Sequence, residues 1–118
     1  LNAAEAEMHI NGEGSAKAKG YIDALSNRAH AAVRPSYTLN DVLDERSREL
    51  YCEGLRRTDL IRFNQFGGTQ ATYKWELKGG STNGTTFTKA YNVYPLPSSE
   101  VRSNKNLTQI DGYNEVKN

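Results

Sequence analysis

Cysteine is all but missing from this chain. Cys52 stands alone among 118 residues, so no disulfide closes within it, and only His9 and His30 are available as imidazole partners. A thiol nucleophile needs an adjacent base, and a structural zinc site needs four nitrogen or sulfur ligands. One Cys and two His therefore argue against both, and no metal or other cofactor is expected; the plainer reading of Cys52 is a small helix residue. A dominant charge is missing too. Fifteen Lys and Arg against fourteen Asp and Glu leave a net charge of +1, which builds no field for nucleic acid or a membrane surface. No apolar run approaches the roughly 20 residues of a transmembrane helix, and no secretory signal is visible. Apolar residues make up 36%, short of the usual 45–50% or so (a count that includes glycine). So thin a core, in a chain opening on Leu1 inside a helical pattern, leads us to expect a piece of a larger protein.

What is present centres on residues 38–66. Thr38 is an N-cap, with Asp41 three residues on completing a variant capping box. At about 100° per residue, Leu39, Leu43, Leu50 and Ile61 share one stripe. Val42 and Leu60 flank it, and Asp44, Arg48 and Asp59 fall on the opposite, solvated side. Arg46, Glu53 and Arg57 project onto the apolar stripe itself, and Glu49 onto its edge. Buried charges need partners, and helical spacing supplies them, with Glu53 and Arg57 in the favoured i, i+4 order. We read Arg46, Glu49, Glu53 and Arg57 as a structural ion-pair network that fixes how this helix docks. Two other readings stand beside it. Glu49 and Glu53, one turn apart, form a carboxylate pair of catalytic type, but nearby guanidinium groups depress carboxylate pKa values and spoil a general acid. Alternatively, the long side chains snorkel to water. No catalytic residue is assigned. Gly54 in mid-segment predicts a break near Glu53-Gly54, giving two helices.

Before this stretch, residues 1–34 read as a helical hairpin. Leu1, Ala4, Glu5 and Met8 keep helical spacing up to an Asn11-Gly12 stop. A second helix runs over about Ala16–Ala32, with Ile22, Leu25, Ala29 and Val33 as its stripe and Pro35 beyond its end. Such hairpins are the unit of tetratricopeptide-type solenoids. After Gly67-Gly68, residues 69–118 read as irregular loops and a tail. Tyr73, Trp75 and Leu77 alternate with Lys74 and Glu76, a strand signal, and Thr86-Phe87-Thr88 is a candidate return strand beyond a Gly-, Thr- and Asn-rich turn. Prolines make Asn92–Pro97 extended; a short helical turn follows near Ser98–Arg102, and Leu107, Ile110 and Tyr113 anchor the polar tail. The fold class is mainly α: tetratricopeptide-like helical hairpins, long irregular loops and at most a short β-hairpin.

These pieces carry a resemblance. LNAAEAEMHING, YIDALSNRAHA, LDERSRELYCEGLRRTDLIRF, YKWELKGG, NVYPLPSSEV and NKNLTQIDGY resemble, in order, motifs of the C-terminal part of the SusD/RagB family. In the long motif Glu45, Arg46, Glu49, Leu50, Glu53, Gly54, Arg57, Asp59, Leu60 and Arg62 all fall in register. Asn27, Lys105 and Ile110-Asp111 depart from the family pattern. The resemblance implies a SusD-like fold and a glycan-binding surface lipoprotein of the Bacteroidetes outer membrane. It also implies a SusC-like TonB-dependent transporter as partner, a lipid anchor outside this chain and no enzyme activity.

For a ligand, sugar rings offer apolar faces to aromatic side chains and hydroxyls to amides and charged groups. Tyr73 and Trp75, with Asn83 nearby, are the ligand-binding candidates in a loop between more rigid elements. The competing reading packs these rings on the domain body, the commoner fate of aromatics on a short strand. Tyr91 and Tyr94 read as packing or interface residues, and Tyr21, Tyr37 and Tyr51 as packing residues on or beside helices.

Overall fold

A computed structural model describes residues 1–113; the last residues of the expected tail, 114–118, lie outside the described part. The protein is mainly helical. Five α-helices occur among the described residues: α1 (Asn2–Asn11), α2 (Ala16–Arg28), α3 (Leu39–Glu49), α4 (Arg56–Arg62) and α5 (Ser98–Ser103). The chain divides into two compact units, Leu1–Arg56 and a second beginning at Arg57.

In the first unit, α1 packs on α2 and α3. Ala4 and Met8 of α1, Ala18 and Ile22 of α2, Tyr37 and Val42 are buried together, with Leu1 and Leu39 at the edge. Sequence chemistry sets the ends of these helices. The Ser15 hydroxyl accepts from the Ala18 amide at 3.3 Å. The Thr38 hydroxyl accepts from the Asp41 amide at 3.2 Å, while the Asp41 carboxylate accepts from the Thr38 amide at 2.7 Å, completing the capping box. Helix α2 stops at Arg28, short of the expected Ala32. His30 takes the left-handed conformation (φ 53°). Its amide then donates to the Asn27 carbonyl at 3.2 Å and that of Ala31 to the Ser26 carbonyl at 2.8 Å, the two bonds of a Schellman ending. Residues 31–37 cross back, held by Tyr37, whose hydroxyl donates to Asp23 and accepts from the Arg34 amide, both at 3.1 Å.

The long segment breaks where Gly54 stands. Helix α3 ends at Glu49 and α4 starts at Arg56; between them Cys52 (φ 65°) and Gly54 (φ 75°) are left-handed. The break resets the register, so the face assignments made on one continuous helix fail beyond it. Asp59, expected on the solvated side, is 4% exposed, and the Arg62 guanidinium donates to its carboxylate at 2.9 Å. Helix α4 closes on a second Schellman ending with Asn64 (φ 56°) in the left-handed seat; the Gln65 amide donates to the Leu60 carbonyl at 2.7 Å.

In the second unit the expected hairpin does not form. Among the described residues there is no strand, only an isolated bridge between Gly67 and Phe87. The alternation Tyr73-Trp75-Leu77 is cut short because Leu77 turns left-handed (φ 64°), followed by Gly79 and Gly80, also at positive φ. Leu77 is left outside and Lys78 goes in. Side chains take the place of a ladder. Gln65 Oε1 accepts from the Thr72 and Tyr73 amides at 3.1 Å. Gln109 brackets Leu96, accepting from its amide at 3.0 Å and donating to its carbonyl at 2.9 Å. Leu107, Ile110 and Tyr113 are half-buried.

Candidate functional site

The second unit is organised by rings around a cation. Phe87 sits centrally, 5.1 Å from Phe66, 6.4 Å from Trp75 and 5.5 Å from Tyr91 between centroids; Tyr91 in turn stacks at 5.2 Å on Tyr113. The Lys78 ammonium lies 4.6 Å from the Trp75 ring centroid, 5.3 Å from that of Phe87 and 6.0 Å from that of Phe66. It donates to the Tyr73 carbonyl at 2.7 Å. Lys78 is 1% exposed, and ring faces replace the water around its charge. Burial pushes its pKa down, and the neighbouring Lys74 charge adds to the shift.

This cage fixes where the expected binding residues stand. Trp75 is 40% exposed, with the Lys78 cation over its ring and Phe87 at an angle of 77° to it. Its carbonyl accepts from the Lys78 amide at 3.0 Å. The Ser81–Gly84 turn lies against the same carbonyl, so closely that a Cβ on Gly84 would collide with it. That contact brings the backbone next to the exposed Asn83 up to Trp75. Tyr73 is half-buried and contributes its main chain, the amide to Gln65 and the carbonyl to Lys78.

The four residues read as an ion-pair network are held by contacts of different kinds. Arg46, 8% exposed, donates to the Asn2 side chain at 2.5 Å. Glu49 pairs with Arg28. Glu53 sits exposed in the turn between α3 and α4, so the helical spacing that would join it to Glu49 and Arg57 is interrupted, and the two carboxylates no longer stand one helical turn apart. Arg57 belongs to the second unit. It donates to the Tyr91 carbonyl at 2.7 Å and lies between the Tyr94 and Phe66 rings, 4.1 and 4.9 Å from their centroids.

Among the described residues no group of His, Cys, Asp and Glu is arranged to hold a metal. Against these observations stand the sequence relationships. The SusD family model matches residues 1–113. The chain belongs to the SusD family. It is 40% identical over 114 residues to the starch-binding protein SusD of Bacteroides thetaiotaomicron, a match that covers 96% of this chain and 20% of that protein. The SusD-family chain thus spans about a fifth of the length of the curated relative it matches.

Sequence reasoning missed three members of the site. Lys78 carried no signal, since lysine is almost never fully buried. Phe87 was assigned to a return strand, and Tyr91 to packing. Yet Tyr91 is 40% exposed, and the turn Lys89–Asn92 carries its ring to within 5.5 Å of Phe87. A larger groove of about 500 Å³ lies in the first unit, over Ile22, Ala29 and Tyr37. The charges on its rim are paired, Arg34 with Asp41 at 2.5 Å, Arg48 with Glu45 at 2.6 Å and Glu49 with Arg28 beyond the rim.

Proposed function

We propose that this chain is the C-terminal part of a SusD-like domain in a non-catalytic glycan-binding subunit. In this reading the whole protein is lipid-anchored at the extracellular face of the outer membrane through a segment outside this chain. It passes oligosaccharide or polysaccharide to a SusC-like TonB-dependent transporter. Family membership supports the glycan class, and the name of the matched relative makes starch the first ligand to try.

The observation that carries the local reading is Trp75. Its indole is part exposed while a buried lysine and Phe87 hold it from within. A ring fixed in place offers an apolar face without losing freedom on binding, which favours affinity. Asn83 supplies a polar group one residue from the contact with its backbone. The test is calorimetric titration of the full-length protein with maltoheptaose. Trp75→Ala is expected to lower affinity about tenfold or more, as loss of a stacked ring does, with an unchanged circular dichroism spectrum. An unaltered affinity removes this loop from the glycan site.

A second reading, a helical scaffold mainly for contact with the transporter, is favoured by large exposed apolar side chains: Ile10 at 77%, Tyr51 at 80% and Tyr94 at 72%. In that case Trp75→Ala leaves sugar binding intact, while substitutions at these three weaken co-purification with the transporter.

A further inference from the structure

The sequence holds the dipeptide Asn-Gly twice, at Asn11-Gly12 and at Asn83-Gly84. This is the pair most open to internal cyclisation. The following amide nitrogen can reach the asparagine side-chain carbonyl carbon, and glycine, without a Cβ, hinders that approach least. Asparagine counts among the thermolabile residues for this reason. Both asparagines are exposed, so access to water does not separate them. Their surroundings do.

Asn11 is the last residue of α1. A helical side chain leans toward the N-terminus, away from the next amide. Asn11 is held in that direction, its Nδ2 donating to Glu7 at 2.7 Å. The Gly12 amide is engaged as well, donating to the Met8 carbonyl at 2.8 Å. Asn83 lies outside every helix of the described residues, on the Ser81–Gly84 turn. Its side-chain amide makes no hydrogen bond among the described residues. The Gly84 nitrogen is restrained by donation to the Ser81 carbonyl at 2.8 Å, but a turn bond at the surface opens at little cost. The chain cannot easily shed this glycine. Gly84 has φ 69°, and a Cβ there would stand 2.3 Å from the Trp75 carbonyl oxygen.

We propose that Asn83 is a site of spontaneous deamidation and that the fold spares Asn11. The Gly84 nitrogen bonds to Asn83 Cγ and the Cγ–Nδ2 bond breaks. The displaced nitrogen leaves as ammonia, taking the proton that the Gly84 amide gives up. The resulting succinimide adds one water at either carbonyl and opens to aspartate or isoaspartate. Water is the only co-reactant. Either product brings a carboxylate to a turn that lies against Lys74, whose Cβ is 3.4 Å from the place of a Cβ on Gly84. Isoaspartate also adds one atom to the main chain beside the close approach of Gly84 to the Trp75 carbonyl, so that contact cannot persist unchanged. The proposal goes beyond the glycan-binding reading and does not depend on it.

The test incubates the full-length protein in mildly alkaline buffer, once native and once in urea, and follows its tryptic peptides by mass spectrometry. Brief digestion under slightly acidic conditions keeps ammonia loss during the assay low. Trypsin releases residues 79–89, in which Asn83 is the sole side-chain amide, and a peptide ending at Lys17 that contains Asn11. In the native protein the first peptide should gain the mass of an NH-to-O exchange several times faster than the second. In urea, where neither turn nor helix discriminates, the two should convert at similar rates. Asn83→Gln, which would have to close a larger ring, should leave residues 79–89 unchanged over the same period. Native protein in which Asn83 stays intact while the urea-treated chain converts overturns the proposal. So does native protein in which Asn11 and Asn83 convert equally fast.

Discussion

Lys78 shows how one residue can invert a pattern. The alternation Tyr73-Trp75-Leu77 puts lysines outside and aromatics inside, yet Leu77 is 65% exposed and Lys78 is buried under three rings. The cause is local: once Leu77 adopts a positive φ, the next side chain points the other way, and the aromatic faces receive its ammonium. Hydrophobic periodicity carries no trace of this, since it treats a lysine as a surface residue. The burial has a measurable sign. Because the folded-state pKa of Lys78 is lowered, the unfolded chain holds more protons than the folded one between that value and the ordinary lysine range. The cost of burying the charge is fully present below the folded pKa and fades as pH rises through it. Wild type should therefore gain thermal stability relative to Lys78→Met as pH rises from about 7 toward the ordinary lysine range near 10.4. Parallel melting curves for the two proteins would show that the ammonium is not desolvated.

At the scale of elements, starts were legible, and stops only where a glycine marks them, as at Gly12 and Gly54. Thr38 and Asp41 announce α3 by side-chain chemistry three residues apart, and both bonds of the box are made. Thr38→Ala should cost about 1 kcal/mol of stability, read as a lowered midpoint in urea with an unchanged slope; a cost near zero would mean that another group takes over the Asp41 amide. Helix α2 stops early because His30, and α4 because Asn64, adopt left-handed turns that glycine usually provides. Nothing about a histidine in a helical pattern advertises that role. The break after Glu49 was readable from Gly54, but its consequence for Asp59 was not. A face assignment survives only while the helix does, and six residues of turn separate the two registers. The candidate site divides in the same way. Trp75 and Asn83 were visible as an aromatic and an amide in a glycine-rich loop. Lys78, Phe87 and the Gln65 clasp on residues 72–73 depend on tertiary approach across a stretch without a ladder.

For the whole molecule, a modest apolar content yields one buried aliphatic cluster in the helical first unit, built on Ala4, Met8, Ile22 and Val42, and in the second unit a part-exposed cluster of rings, Phe66, Phe87, Tyr91 and Tyr113. The turn where the chain passes from one cluster to the other carries Cys52, exposed on a left-handed backbone. As the one sulfhydryl in these 118 residues, it is a natural attachment point. Maleimide should add a single adduct to this stretch under non-denaturing conditions, visible as one mass increment. A fluorophore or nitroxide placed there would label the turn between α3 and α4, outside both helices.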